Sequence, residues 1–292
     1  MKKVLRWTGF GLLGVLGLIV TTAGVLLFLG NRKLTRAYGA AETSFALQET
    51  PTLVPRGEHL VRNVSQCVGC HGSDLGGAKM IDEPGFATIY APNLTTGEGG
   101  AALTFEPADW DRALRYGISS ESHALAPMMP SEAAQNLSDA DLSAIVAYLK
   151  SVPPIDRVTP PPHYGLMAKM LVGAGVFPLA PDLVAETPRL ESIPQEGNSA
   201  DYGAYLVHIA GCTVCHGTTL AGAEDPAEAG VMTPNLIASA AGWSTAEFER
   251  ALRTGQTPQG KALDPEAMPW PGYAEMTDTE LTAIHRYLDS LR

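Results

Sequence analysis

Residues 7–30, WTGFGLLGVLGLIVTTAGVLLFLG, form an unbroken run of uncharged, mostly apolar positions. At ~1.5 Å rise per residue, a helix of this length crosses a hydrocarbon core of ~30 Å. A cleaved signal peptide has a shorter apolar part, roughly 7–15 residues, with small residues at the cut site. The length of the run therefore predicts an uncleaved single-span anchor. Lys2, Lys3 and Arg6 precede it, and Arg32, Lys33 and Arg36 follow it. With the basic residues balanced, the positive-inside rule gives no orientation. Further along, Leu142, Ile145, Val146 and Leu149 recur at helical spacing, as do Leu281, Ile284 and Leu288. Capping signals precede both series: Ser138 to Asp141, and Thr277 to Glu280, the second a full Thr-x-x-Glu capping box. No run of alternating β-branched residues predicts a sheet. The pattern predicts an all-α chain rich in Gly and Pro turns.

The chain repeats itself. GEHLVRNVSQCVGCHGSDLGG at 57–77 matches GAYLVHIAGCTVCHGTTLAG at 203–222. Pro92-Asn93-Leu94 matches Pro234-Asn235-Leu236, and the Arg-Ala-Leu-Arg of 112–115 matches that of 250–253. Met129-Pro130 matches Met268-Pro269, and LSDADLSAIVAYLKS at 137–151 matches MTDTELTAIHRYLDS at 276–290. From Met-Pro onward the offset is a constant 139. One supersecondary unit occurs twice. The expected organisation is an anchor at 1–36, a first domain at 37–152, a Pro-rich linker at 153–198 and a second domain at 199–292. The nine linker prolines rule out a long uninterrupted helix. Within the linker, YGLMAKMLVGAGVFPL (164–179) is apolar apart from Lys169 and too short for a second span. It reads as a cover over the seam between the domains, or as an element lying on the membrane or against a partner.

Charge narrows the partners. Six of the 20 Lys and Arg residues flank the apolar run, and no acid precedes Glu42. Fourteen basic residues against 31 acidic ones remain outside the membrane, a formal net of −17. That argues against nucleic acid as a partner and permits steering by a basic docking face, or simply keeps the protein soluble.

All four cysteines lie in two pentapeptides, CVGCH at 67–71 and CTVCH at 212–216. Cys-x-x-Cys-His is the pattern of covalent c-type haem attachment. Two thiols one helical turn apart reach the two vinyl groups, and the following His offers a ring nitrogen to the iron. Cys67, Cys70 and His71 are thus the candidates for one haem, and Cys212, Cys215 and His216 for a second. A zinc site gives no reason for a His after each pair, and the pairs stand in separate repeats. A thioredoxin-like pair requires a βαβ setting, which is absent, and a disulfide does not explain the His.

The sixth iron ligand is sought at matched positions. Met129 lies 58 residues beyond His71, and Met268 lies 52 beyond His216. A thioether ligand raises the iron potential and suits electron transfer. Met128 and His123 are rivals in the first copy, and alignment with Met268 favours Met129. Met276 aligns with Leu137 and reads as core. His59, His163, His208 and His285 read as surface or packing residues. The carbonyls of Pro92 and Pro234 are candidates to accept the proximal His N–H. Asn93, Asn235, Arg112, Arg115, Arg250 and Arg253 are candidates for haem propionates or for plain structural roles.

With these motifs the chain resembles a membrane-anchored dihaem cytochrome c, over residues 57–151 and 202–292. Each half resembles a class I cytochrome c domain, with CxxCH near the end of a first helix, a Met-Pro loop and a final helix. The second half is similar to cytochrome subunits of bacterial membrane dehydrogenases, which usually carry three such domains. The resemblance implies an electron carrier with two covalently bound haem c groups, not itself an enzyme. It implies an anchor in the bacterial cytoplasmic membrane, haem domains on the periplasmic side, and redox partner proteins of a respiratory or photosynthetic chain. The alternative is a dihaem redox enzyme of the peroxidase or thiosulfate dehydrogenase type. Such an enzyme needs an open iron position, which Met129 and Met268 would close.

Overall fold

The computed structural model describes residues 2–39, 45–48, 50–224, 230–240 and 242–292. Helix α1 (Lys2–Thr35) is continuous, as a Leu- and Val-rich segment without proline allows. It is long and apolar enough to cross a membrane.

The first copy opens with α2 (Val54–His59), which widens into a π-type turn over Leu60–Val64 and leads to α3 (Cys67–His71). A hairpin follows, β1 (Ala78–Glu83) and β2 (Ala87–Ala91), then α4 (Ala101–Thr104), α5 (Pro107–Tyr116), α6 (Ser131–Ala134) and α7 (Asp139–Ser151). The connecting segment holds β3 (His163–Tyr164), α8 (Leu166–Ala174) and α9 (Ala180–Glu186). The second copy comprises α10 (Ala200–Ile209), α11 (Cys212–His216), α12 (Leu236–Ala240), α13 (Thr245–Thr254), α14 (Trp270–Tyr273) and α15 (Asp278–Ser290).

Each copy is closed by its first helix crossing its last, α2 on α7 and α10 on α15. The crossings are so close that a Cβ at Gly57 would collide with the Ala144 carbonyl, and one at Gly203 with the Ala283 carbonyl. Around them Leu60, Val61 and Val64 bury against Leu142, Ile145 and Leu149, while Leu206 and Val207 bury with Leu281 and Ile284. Burial of each such side chain is worth roughly 1.5–3 kcal/mol. Ser138 and Thr277 cap the final helices as expected, accepting from the N–H groups of Asp141 and Glu280.

The all-α expectation needs correction. β1, β2 and β3 form a three-stranded antiparallel sheet, with Ala78 opposite Ala91 and Ala87 opposite Tyr164. In β2 burial alternates, Ala87, Ile89 and Ala91 facing inward. Alanines at two of three inward positions hide this alternation from a search for β-branched residues. The 164–179 segment also does not cover the seam between the copies. Instead, α8 packs along α1, and its Ala168 joins Ala87 and Ile89 in a small second core.

A single hydrophobic core runs through both copies. Where they meet, matched positions pair reciprocally. His59 of the first copy donates from Nε2 to Glu280 at 2.7 Å. Its counterpart Tyr205 donates to Asp141, the counterpart of Glu280, at 2.6 Å. Arg56 binds Asp141 through two nitrogens (3.0 and 3.2 Å), Glu280 at 3.2 Å and its own counterpart, the Tyr202 hydroxyl, at 3.1 Å. Thus the two copies meet about an approximate twofold axis, as in an isologous dimer fused into one chain. Burial disfavours the Arg56 charge, but Asp141 and Tyr202 outweigh it and hold the guanidinium protonated. Burial likewise works against charge on Glu280, yet His59, the Thr277 N–H and Arg56 prevail and lower its pKa.

Removing one partner from such a cluster strands buried charge. Arg56→Met is expected to cost roughly 3 kcal/mol in denaturant unfolding of the full chain. A group whose folded pKa is depressed stabilises fully above its unfolded value, about 4.3 for Glu. Stability should therefore fall as the pH drops below that value, and the slope should be shallower in Glu280→Gln.

Candidate functional site

The two pentapeptides sit in turns that repeat residue for residue. The residue before each is left-handed, Gln66 at φ 48° and Gly211 at φ 73°. After each His comes a positive-φ glycine, Gly72 or Gly217, and then a positive-φ leucine, Leu75 at 60° and Leu220 at 58°. Left-handed conformation costs a leucine roughly 1–2 kcal/mol. Both leucines offset it by burying completely. Gly77 N–H then donates to the His71 carbonyl at 2.8 Å, and Gly222 N–H to the His216 carbonyl at 3.0 Å. The chain is thereby folded back so that the next segment runs beside the histidine.

That segment supplies the decisive contact. His71 Nδ1 lies 2.8 Å from the Pro92 carbonyl, and His216 Nδ1 lies 2.9 Å from that of Pro234. A carbonyl only accepts, so Nδ1 carries a proton, and in the neutral ring Nε2 is the nitrogen that keeps a lone pair. Both histidines are buried. Burial lowers the His71 pKa, against the pull of the Pro92 carbonyl, and so favours the neutral ring that a metal ligand requires.

None of the four cysteines is paired in a disulfide. Burial pushes the Cys67 and Cys212 thiols up to about 12 and raises Cys70 as well. Redox-active pairs show the opposite shift, toward a stable thiolate. Among the described residues no three His, Cys, Asp or Glu side chains converge in the manner of a simple ion site. Half-buried thiols outside any disulfide, beside an oriented imidazole, fit a planar tetrapyrrole held through carbon–sulfur bonds.

Met129 and Met268 occupy matched turns, each carbonyl accepting from the N–H two residues on (2.7 and 2.6 Å). Both remain partly exposed, and neither belongs to a hydrophobic cluster. Met276, read as core, is 1% exposed. Met128 packs on the Ala87, Ile89 and Ala168 cluster, and exposed His123 lies against the chain leaving α1, 3.5 Å from the Arg36 carbonyl.

Several shared polar residues have structural partners. The Asn93 amide is tied to the Ile155 carbonyl at 2.6 Å and to the Thr95 N–H at 2.9 Å, and Asn235 accepts from the Ala238 N–H at 2.9 Å. Arg115 bonds Asp111, Asp139 and the Leu137 carbonyl, and Arg253 bonds Asp278 and the Ala274 carbonyl. Arg112 pairs with Asp109. Trp110 Nε1 and Arg112 Nε remain buried donors without a partner among the described residues. A carboxylate-bearing group in the first copy could use such donors.

The sites approach each other across the twofold seam. Helix α6, directly after Met129-Pro130, packs on α11, the second pentapeptide. Helix α14, directly after Met268-Pro269, packs on the turn before the first pentapeptide, with Gly272 against the Gln66 side chain. Tyr273 bonds the Ala210 carbonyl at 2.8 Å, and burial, then the nearby Cys212 and Cys215, raises its pKa. Sequence reasoning missed Gln66, Gly272 and Tyr273, because neither spacing nor residue type marks them.

The family model for cytochrome c matches residues 54–153 and 200–292. The chain is 26% identical to the fructose dehydrogenase cytochrome subunit of Gluconobacter japonicus, over 80% of this chain and 51% of that protein. It is 27% identical to the gluconate 2-dehydrogenase cytochrome c subunit of Pantoea cypripedii, over 84% of this chain and 60% of that protein. It is 26% identical to a diheme cytochrome c-type protein of Cereibacter sphaeroides, over 66% of this chain and 70% of that protein. The chain therefore spans little more than half the length of these dehydrogenase subunits.

The fold-back after each pentapeptide depends on glycine. Gly222 stands at φ 91°, and an added Cβ would lie 2.7 Å from the Thr233 carbonyl oxygen. Gly85, at φ 81°, has open space around it. Gly222→Ala should cost about 3 kcal/mol and Gly85→Ala only about 1 kcal/mol, compared by denaturant midpoint.

Proposed function

The chain belongs to the cytochrome c family, and we propose that it is a membrane-anchored dihaem electron carrier. In this reading Cys67 and Cys70 attach one haem, with His71 and Met129 on its iron. Cys212 and Cys215 attach the other, with His216 and Met268. The observation that carries the assignment is the duplicated contact of a buried His Nδ1 with a proline carbonyl, which makes Nε2 the ring nitrogen available to a metal in both copies. Each haem, when bound, supplies a one-electron iron couple. The Pro92 and Pro234 carbonyls orient the two imidazoles, and Met129 and Met268 would each supply a thioether as the second protein ligand, which would leave no position for a reactant. That is why the carrier is preferred to the peroxidase or thiosulfate dehydrogenase reading. Packing of α6 on α11 and of α14 beside Gln66 brings the two sites to a common interface, which suits transfer between them.

Cytochrome subunits of dehydrogenases among the relatives suggest a membrane dehydrogenase as electron donor. An acidic surface suits a basic docking face on the acceptor. The anchor keeps the carrier near such partners and raises their effective concentration. Since c-type haem is attached outside the cytoplasmic membrane, both copies lie on the periplasmic side of a bacterial cytoplasmic membrane.

Purified protein should carry two haems per chain that resist extraction by acidified organic solvent. Colourless protein, or extractable pigment, overturns the reading. Met129→Ala and Met268→Ala should each abolish the sulfur–iron absorption of one haem. Each should lower that haem's potential by on the order of 0.1 V, within the roughly 0.8 V that axial ligands command. Met128→Ala should change neither. Peroxide or thiosulfate turnover by the unsubstituted chain would favour the enzyme reading instead.

A further inference from the structure

Helix α8 and the turn after it are unusually placed. Along the C-terminal third of α1, Ala23, Leu26, Leu27 and Gly30 lose exposure, while Trp7, Phe10, Leu18, Ile19 and Val20 stay open. The covered residues recur at helical spacing and form one stripe, and α8 packs along α1 there. The approach is backbone to backbone. A Cβ at Gly30 would collide with the Lys169 carbonyl, and one at Gly173 with the Leu26 carbonyl. Close crossing of this kind is how helices associate within a bilayer. Going from Lys169 to Gly173, the contact moves from Gly30 back to Leu26. Helix α8 therefore runs antiparallel to α1, and its C-terminal end points down the apolar stretch.

The stripe from Gly30 to Ala23 is about 10 Å long at the helical rise. Gly30 ends the uncharged run, and exposed Arg32 and Arg36 follow. This places the tip of α8 below the headgroup level at which those arginines would sit. The outward side chains of the segment are apolar: Val176, beside the tip, is 70% exposed, and Leu166 and Met167, at the opposite end of α8, are 68% and 52% exposed. The one charged residue of the segment, Lys169, is half-buried. Phe177 is fixed edge-on against Phe86 of the hairpin, so the foot is braced by the first copy rather than hanging free.

We propose that residues 166–177 are a membrane foot. Their open face inserts into the outer boundary of the bilayer beside α1 and fixes the height and tilt of the first copy over the lipid. The occupant of that face is lipid acyl chain, because the face is continuous with the helix that enters the bilayer. Interfacial elements of this kind bury roughly 5–10 Å into the headgroup and acyl boundary, the depth the stripe indicates. This rests on reading α1 as a membrane span.

Single-cysteine variants of the full haem-loaded chain test it: Val20→Cys in the span, Leu166→Cys and Val176→Cys on the foot, and Glu266→Cys on the second copy. Each is spin-labelled and placed at one chain per lipid nanodisc, and its collision rates with oxygen and with a water-soluble nickel chelate are compared. The unsubstituted chain should take up no label, its thiols being consumed by haem. The oxygen-to-nickel ratio should fall in the order Val20, Val176, Leu166, Glu266, with Val176 several-fold above Glu266. If Val176 matches Glu266 while Val20 remains lipid-like, the foot is wrong and the anchor stands. An aqueous Val20 removes the anchor and the foot together. Shielding of Val176 from both reagents only when two chains share a disc assigns the face to a second copy and overturns the lipid proposal.

Discussion

The hydrogen bond from His71 Nδ1 to the Pro92 carbonyl, with its twin from His216 to Pro234, is the constraint on which both sites depend. It decides which ring nitrogen holds the proton, and so which one can bind a metal. It also ties the pentapeptide to a segment about twenty residues later, closing the loop between them. Everything local serves that closure: the left-handed entry at Gln66 and Gly211, the strained but buried Leu75 and Leu220, and the glycines that let the backbone turn back. Strain kept at the same position in both copies, and offset by burial in both, points to a conformation required rather than tolerated.

The second level of organisation is the seam. Two copies that shared only a linker would be free to reorient. Here they share a core, and their polar contacts are reciprocal. Position 59 of one copy reaches the final helix of the other, and position 205 returns the contact. The central pair is not symmetric, since Arg56 faces Tyr202. One guanidinium serves both acids, Asp141 and Glu280, and a second Arg in place of Tyr202 would confront it with like charge. Divergence at this pair lets an approximately symmetric interface close around a single shared, half-buried guanidinium.

Much of this was legible in the sequence. The pentapeptides, the Met-Pro turns, the capping of α7 and α15 and the proline carbonyl partners all follow from local pattern, because each feature is set within about twenty residues. What escaped was long-range. His59 read only as a surface or packing residue because its partner lies 221 positions away, and the Arg56–Glu280 contact spans 224. The hairpin escaped because alanine fills two of the three inward positions of β2. For Asn93 the repeat leaves a propionate partner and a structural role both open. Yet in the first copy it clamps the chain after α7, and in the second Asn235 caps a helix. A repeated residue need not keep a repeated role.

The seam also explains why the duplication is arranged as it is. In each copy the helix after the Met-Pro turn leaves its own site and packs next to the other copy's pentapeptide. A relation of this kind cannot be built from one copy, nor from two copies joined in arbitrary orientation. It needs the twofold, and the twofold needs the Arg56 cluster and the paired tyrosines to hold it. Weakening that cluster would therefore act on more than stability. It would loosen the distance between the two sites while leaving each site's internal hydrogen bonds intact, so the spacing of the sites is set at the seam and the hydrogen bonding within them is not.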